Sequence, residues 1–186
     1  MSDVQLWEAL RQGEKSALET IYRREVAHLF RYGRRIVNDE ALVEDVLQDL
    51  FIGLWRRRSS LGPTDSIRRY LLVALRRDLI RRLKQQTRYS GELEETNLDT
   101  ATGPAIDEAL IKQESQASQK AYLQRALGQL SKRQQEVLYL KYFEGMEYKA
   151  IAEVLDVNYQ SVRNVASAGL KALRKLLGVL LLLWWG

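Results

Sequence analysis

The sequence predicts an all-α fold of two small helical domains joined by a short acidic linker. Apolar residues return at helical spacing along most of the chain, no segment alternates with the period of a strand, and an acidic, aperiodic stretch interrupts the helical pattern near the middle. At 186 residues, the chain is long enough for one large or two small domains, each with a modest core.

The first half predicts four helices. They cover residues 4–11, 15–37, 40–57 and 67 to about 86. Gly13 ends the first helix, and Asn38 and Asp39 close the second. The third has the clearest pattern, because its apolar residues follow the i, i+3, i+4 rule without a break. The 59–66 segment reads as a loop from its Gly, Pro, Ser and Asp content, and Asp65 or Ser66 can cap the next helix.

The second half begins with a predicted linker. This stretch loses periodicity, contains Gly91, Gly103 and Pro104, and turns acidic. A helical pattern resumes near Asp107 and continues to Leu130. Ser131 then opens another helix as a capping box with Gln134, and that helix ends at Gly145. The predicted domains are residues 1–88, a linker of residues 89–118, residues 119–177, and an apolar tail of residues 178–186.

Residues 145–173 predict a helix-turn-helix. Ile151 and Val154 place apolar groups on one face of a short first helix, a tight corner follows at Asp156, and Asn158 can cap the second helix. Polar side chains early in the second helix suit base edges in a major groove. These candidates are Asn158, Tyr159, Gln160, Ser161, Arg163 and Asn164. Helix pairs with short turns also occur without DNA, so a purely structural role stays open.

Positive charge is concentrated in one block. Residues 56–88 hold eleven Arg or Lys and two Asp, a local balance of +9 in a chain of net charge +5. Four of these cations fall at i, i+4, i+7 and i+11 and line one stripe of the predicted helix. The stripe consists of Arg77, Arg81, Lys84 and Arg88. Because stacked like charges repel, the pattern indicates a polyanion such as a nucleic-acid backbone. The alternative is a solvated face, with Tyr70 and Trp55 in the core.

The sequence offers no catalytic or metal chemistry. It has no Cys, which fits a reducing cytoplasm, and His28 has no second histidine as a partner. We find no Gly-rich phosphate loop and no nucleophile with a base, so we predict no cofactor, no metal and no enzyme activity, for example that of a recombinase.

The two ends of the chain predict neither a signal peptide nor a membrane span. The first residues alternate charged and apolar side chains. Residues 176–186 are uncharged and apolar, but a spanning helix needs roughly 20 such residues. Packing within the chain, docking onto a partner and a shallow membrane contact all stay open for this tail.

Two motifs resemble conserved regions of bacterial sigma factors. DVLQDLFIGLW, residues 45–55, is similar to the second region, with its Asp, its Gln-Asp or Gln-Glu pair, an aromatic residue and a Trp. Residues 130–176 are similar to the fourth region. Their order, with a short tether and no room for a third region, resembles the extracytoplasmic-function group of the sigma-70 family. The departures are Ser131 for the usual Pro, Tyr70 for the usual Trp, and Val165 and Ala168 for frequent Arg residues.

The resemblance implies a cytoplasmic, non-catalytic subunit that gives RNA polymerase its promoter specificity. Region 2, residues 1–88, would bind core polymerase and would read and open the −10 element, with the 59–66 loop holding an unstacked base. Region 4, residues 119–177, would read the −35 element. The implied core-polymerase site is Glu44, Asp45, Gln48 and Asp49, an acidic patch that spacing alone would assign to an ordinary solvated helix face. The candidate DNA-binding residues of region 2 are Arg57, Arg58, Tyr70, Arg76, Arg77, Arg81, Lys84 and Arg88.

The expected partners are core RNA polymerase and promoter DNA, and the resemblance adds an anti-sigma factor; no small-molecule substrate is expected. Two other readings stay open. A helix-turn-helix activator or repressor would form dimers on palindromic sites, whereas a sigma factor would act as a monomer on an asymmetric two-box promoter. A protein-interaction module would instead use its tail to dock a membrane partner.

Overall fold

The computed structural model describes residues 1–89, 123 and 125–184, and the regular elements of this part are all helical, which confirms the all-α prediction. The helices are α1 (Asp3–Arg11), α2 (Lys15–Ile36), α3 (Glu40–Arg56), a 3₁₀ turn (Arg58–Ser60), α4 (Ile67–Tyr89), α5 (Lys132–Tyr142), α6 (Tyr148–Leu155) and α7 (Tyr159–Trp184). Residues 125–128 are also helical.

Helices α1 to α4 form one compact unit in which α2 packs against the other three. The apolar stripe of α3 is buried as predicted, and its buried members share one face: Leu42, Val43, Val46, Leu47, Leu50, Phe51 and Leu54. Asp39 caps this helix by accepting a hydrogen bond from the Leu42 N–H at 3.0 Å. Because one face of α3 is fixed in the core, its opposite face points to solvent.

Gly33 allows α2 and α3 to approach each other closely. A Cβ atom at this position would lie 2.6 Å from Cγ1 of Val43, nearer than carbon atoms pack. The missing side chain therefore sets the spacing of the two helices.

Two positions of α2 have an exposure that is unusual for their residue type. Tyr22, a large aromatic residue, is half exposed and meets the ring of Phe51 edge-on at 4.9 Å between centroids. Glu25, which a hydrophobic pattern assigns to the surface, is fully buried. Its ion pairs, described below, explain how a carboxylate is accommodated there.

Helices α5, α6 and α7 pack together in the second unit. The Ser131 capping box is present as predicted: its hydroxyl accepts from the Gln134 N–H at 3.3 Å, and the Gln134 side chain accepts from the Ser131 N–H. Helix α5 ends at Tyr142, earlier than predicted, and Gly145 follows with a φ of +66°. That left-handed turn suits glycine and redirects the chain toward α6.

The corner between α6 and α7 lies where the sequence predicted it. Asp156 adopts the left-handed conformation, with φ of 54° and ψ of 52°, and Asp is among the residues that tolerate it. Asn158 then caps α7, accepting a hydrogen bond from the Ser161 N–H at 2.7 Å. Val162 and Ala166 bury one face of α7. The backbone of α7 continues without interruption to Trp184.

The chain divides into two compact units, Met1–Glu95 and Thr96–Gly186. The predicted linker of residues 89–118 lies outside the described residues except for its first residue, as does most of the helix predicted from Asp107 to Leu130. The exact domain boundaries therefore stay a prediction.

Candidate polymerase and nucleic-acid interfaces

The acidic face of α3 consists of exposed side chains that the sequence predicts for core-polymerase binding. They are Glu44, Asp45, Gln48 and Asp49. The buried stripe on the opposite side of α3 holds them on a rigid helix. Asp49 also forms an ion pair with Arg82 of α4. The two helices are therefore joined by charge at the solvent surface as well as by packing in the core.

The cations at the end of α3 fold back on their own helix. Arg58 places its guanidinium carbon 4.3 Å from the centroid of the Trp55 ring, and its Nη1 donates to the Trp55 carbonyl at 2.9 Å. Arg57 is exposed, and its Nε donates to the Gly53 carbonyl at 3.3 Å. Arg57 thus presents more of its side chain to solvent, while Arg58 and Trp55 form a half-buried pair.

Three cations of the predicted stripe are exposed on α4. They are Arg77, Arg81 and Lys84; the side chain of Arg88 lies outside the described ones. Arg81 forms an ion pair with Asp78 at 2.9 Å, one turn earlier. Arg76 differs from the rest because only 8% of it is exposed, so a DNA contact would require its side chain to turn outward. That contact stays a prediction.

Tyr70 lies at the start of α4 and is half-buried against an aromatic residue that the sequence reading missed. Its ring centroid lies 4.8 Å from that of Trp7, at an interplanar angle of 60°. Trp7 is 1% exposed and belongs to α1. The available signal was the short apolar pattern of α1, which predicts burial but cannot predict a partner 63 positions away.

The 59–66 loop has an anchored side and an open side. Leu61 is buried, and the hydroxyl of Ser60 donates to the Arg57 carbonyl at 2.9 Å. Ser66 accepts from the Arg69 N–H at 3.3 Å and caps α4, which confirms one of the two predicted caps. The exposed positions of the loop are Ser59, Ser60, Gly62, Pro63 and Asp65.

A charged network connects α1, α2 and α4 beside this loop. Buried Glu25 accepts from Nε of Arg68 at 2.7 Å and lies 3.4 Å from Nη2 of Arg24. Arg24 also pairs with Asp3 at 2.7 Å. Asp3 in turn accepts from the Ile67 N–H at 2.9 Å and so caps α4 from 64 positions away.

This network lowers the pKa of the Asp3 carboxyl. Burial alone would raise that pKa, but the hydrogen bonds from Arg24 and from the Ile67 N–H, together with the positive charges of Arg24 and Arg68, outweigh it. The folded protein therefore favours the ionised form of Asp3.

The first turns of α7 present the polar residues predicted for the −35 element. Asn158, Tyr159, Gln160, Arg163 and Asn164 are exposed, and Ser161 is half-buried. Nε2 of Gln160 donates to Oδ1 of Asn164 at 3.0 Å, so these two amides form one polar unit. The Arg163 guanidinium carbon lies 5.8 Å from the centroid of the Tyr159 ring, which holds it along the helix.

Further along α7, the chain carries exposed cations that the sequence reading did not single out. Lys171, Arg174 and Lys175 are exposed about three to four and a half turns beyond the helix start. The signal for them was their position on a helix that the sequence already predicted. They offer positive charge on the C-terminal side of Val165 and Ala168, which replace the Arg residues frequent in the resembling family.

Across the described residues, no group of three or more His, Cys, Asp or Glu is arranged to hold a metal ion. None of the helices in the described part combines the length and the apolar character that a membrane span requires.

Known proteins match both units of the chain. The family model for sigma-70 region 2 matches residues 21–89, and that for sigma-70 region 4 matches residues 120–173. These two ranges cover about two thirds of the chain. The first range contains most of α2 and all of α3 and α4, and the second contains α5, α6 and about the first half of α7.

Proteins named as RNA polymerase sigma factors match nearly the whole chain. The ECF RNA polymerase sigma factor SigK of Mycolicibacterium vanbaalenii is 24% identical over 176 residues, covering 90% of this chain and 85% of the relative. The RNA polymerase sigma factor CarQ of Myxococcus xanthus is 28% identical over 176 residues, covering 93% and 96%.

A solved structure shares the fold. The sigma factor RpoE of Bartonella quintana, crystallised with the anti-sigma factor NepR, has a TM-score of 0.65 at 18% identity, covering 87% of this chain and 96% of that one. With both conserved regions present in order, this chain belongs to the sigma-70 family as an extracytoplasmic-function sigma factor, which directs promoter-specific transcription initiation by RNA polymerase.

Proposed function

We propose that this sigma factor uses three surfaces for three different binding tasks. The acidic face of α3 binds core polymerase, the 59–66 loop with the cations of α4 binds and opens the −10 element, and the start of α7 reads the −35 element. The observation that best supports this division is the separation of charge in the first unit, where an exposed acidic helix face and an exposed basic helix face lie on adjacent helices.

The acidic face suits a basic protein surface. Its four polar side chains are exposed together, and a rigid core supports them from behind. Charged groups arranged in this way steer association and fix the register of two partners. We assign Asp45, Gln48 and Asp49 as the central contacts and Glu44 as a flanking one.

The −10 surface combines cations with a loop open to solvent. Arg57, Arg77, Arg81 and Lys84 supply positive charge for phosphates, and the exposed edge of the loop supplies small polar groups for an unstacked base. Arg58 and Tyr70 are half-buried against Trp55 and Trp7, respectively. We therefore assign them to supporting this surface from inside the fold as well as to contacting DNA.

The −35 surface is the N-terminal part of α7. Arg163 and the Gln160–Asn164 amide pair offer the donors and acceptors that read base edges in a major groove. We assign Lys171, Arg174 and Lys175 to phosphate contacts, which fix position along the duplex rather than sequence.

The binding partners of the protein and its cellular location belong to the same proposal. The partners are core polymerase, promoter DNA and an anti-sigma factor of the kind present in the RpoE–NepR complex. We infer that the protein acts in the cytoplasm, where core polymerase is found, and that the polymerase carries out the chemistry while this chain contributes no catalytic group.

The experiment that tests the proposal combines the full-length protein with purified core polymerase and a library of promoter templates. We expect transcripts from asymmetric two-box promoters only when the protein is present. Reversing charge at Asp45 together with Gln48→Ala should reduce core binding at least tenfold. Glu19→Lys is the matched control, since it reverses one charge at an exposed position of α2.

Two outcomes would contradict the proposal. Equal core binding by the acidic-face variant and the control would remove this face from the interface. Tight duplex binding without any core-dependent transcript would instead support the activator or repressor reading, and a dimer on a palindromic site would then be expected.

A further inference from the structure

The first helix of the chain contacts the 59–66 loop and the elements on either side of it. Nε1 of Trp7 donates to the Gly62 carbonyl at 2.8 Å, and Oδ2 of Asp3 accepts from the Ile67 N–H at 2.9 Å. Helix α1 also packs against the Arg58–Ser60 turn, where the loop begins. These contacts bracket the loop on its anchored side.

We propose that α1 positions this loop for base recognition, with Trp7 as the principal positioning residue and Asp3 as the second. The inference rests on the proposed role of the 59–66 loop in reading the −10 element. Trp7 need not touch DNA, since it is 1% exposed. It acts by fixing the carbonyl of Gly62, and therefore the direction in which the exposed edge of the loop faces.

The hydrogen bond from Trp7 holds the Gly62 peptide, whereas hydrogen bonds between Thr64 and Ser66 and an ion pair between Asp65 and Arg69 hold the later part of the loop. Gly62 itself has no side chain, and a Cβ built there would meet nothing within 4 Å. Leu61, the residue before Gly62, is anchored by its burial. Burial fixes how deep the chain lies at this point, but it does not fix the rotation of the following peptide. A directional bond to the Gly62 carbonyl supplies the missing constraint.

The network around Asp3 fixes the exit of the loop in the same way. Asp3 caps the first N–H of α4 while it pairs with Arg24, and Arg24 borders the buried Glu25–Arg68 pair. The start of α4 is thereby tied to α1 and α2 together. A base held by the loop would meet a preorganised edge, which lowers the conformational cost of binding.

The test measures base preference rather than total activity. Full-length Trp7→Phe keeps an aromatic ring beside Tyr70 but removes the Nε1–H donor. With core polymerase, transcription is measured on promoters carrying each of the four bases at each −10 position, and separately on −35 variants. We expect the −10 preference ratio to fall by roughly three- to tenfold, as loss of one hydrogen bond allows, while −35 preference is unchanged.

Three further variants separate the possible results. Val46→Ala removes buried volume from α3 and controls for lost stability, because a smaller folded fraction lowers all promoters equally and leaves the ratio unchanged. Asp3→Ala provides a second test at a more exposed position, whether or not Trp7→Phe folds well. Gly62→Ala adds a methyl group on the open side of the loop and tests the loop itself.

The results distinguish this inference from the proposed function beneath it. If Gly62→Ala alters −10 preference while Trp7→Phe and Asp3→Ala both leave it unchanged, α1 does not position the loop and the inference is wrong. If Gly62→Ala, Trp7→Phe and Asp3→Ala all leave −10 preference unchanged, the loop does not read the −10 element and both proposals fail. Equal losses of −10 and −35 preference in Trp7→Phe would mark a general defect and would also overturn the inference.

Discussion

At the scale of single residues, the polar groups that matter most to this fold are those whose partners lie far away in the chain. Glu25 and Arg68 are 43 positions apart, and Trp7 and Gly62 are 55 apart. Removing one member of a buried charged pair leaves the other without compensation, which costs more than the pair contributes. Such positions therefore tolerate substitution less well than their polarity suggests.

Asp3 gives a prediction about acid stability. Its pKa is lowered in the folded protein, so its contribution is present above the unfolded value, about 4, and is lost as the pH falls through the lower folded value. We expect Asp3→Asn to lower the free energy of unfolding at pH 7, and we expect the difference from the wild type to shrink as the pH falls below about 4. Urea unfolding at a series of pH values measures this. A difference that persists unchanged at pH 2 would contradict it.

Arg163 gives a prediction about promoter sequence. A bidentate contact to one guanine is worth about 1–3 kcal/mol of discrimination. We expect Arg163→Ala to relax preference at one position of the −35 element. Arg163→Lys, which keeps the charge but loses the planar fork, should lose most of the same preference. Competition binding with single-base variants measures both, and a uniform loss across all sequences would identify Arg163 as a phosphate contact.

At the scale of elements, the basic stripe of α4 is unevenly neutralised before DNA binds. Arg81 is already paired with Asp78 at 2.9 Å, whereas Arg77 is exposed one turn earlier on the stripe. The two cations therefore differ in how much counterion they can release from a phosphate backbone. Their substitution should separate an electrostatic DNA surface from an ordinary solvated face.

We expect Arg77→Ala to reduce the slope of log affinity against log salt by up to about one unit, and Arg81→Ala to reduce it by less. Asp78→Asn is the matched control: by releasing Arg81, it should steepen the slope. Promoter binding by the polymerase holoenzyme at several salt concentrations measures all three. Unchanged slopes in every variant would mean that the stripe is solvated and does not contact DNA.

The helices differ in how well the sequence predicts them. The buried stripe of α3, the Ser131 capping box and the Asn158 cap depend on neighbours within four positions, and all three are confirmed. Burial of Glu25 and the Trp7 contact to the loop depend on partners more than 40 positions away, which periodicity cannot indicate. The functional surfaces follow the same rule. The exposed faces of α3, α4 and α7 were predictable from the sequence, whereas the contacts of α1 that support the 59–66 loop were not.

At the scale of the whole molecule, the apolar end of α7 gives the last prediction. The helix continues to Trp184, and its sequence from Leu180 to Leu183 is apolar on every side. Large exposed apolar patches are uncommon on soluble monomers, so we expect this end to pack within the chain. Deleting residues 179–186 should then lower the melting temperature, by about 2–4 °C for each kcal/mol of stability lost.

Thermal unfolding of the full-length and truncated proteins measures this effect, alongside binding to core polymerase and promoter DNA. An unchanged melting temperature with lost binding to a partner protein would assign the end of α7 to docking. Wild-type stability and binding in the truncated protein would leave this segment without a role in either process.

The position of α1 has a consequence for how such proteins diversify. The region 2 family model begins at residue 21, yet Asp3 and Trp7 precede it and hold the loop from outside that range. The segment that the family model matches is therefore shorter than the segment that holds the loop in place. A fragment cut at residue 21 would lose two anchors of its loop. Conversely, exchanging α1 between related sigma factors is a way to change promoter preference without substituting any residue that faces DNA.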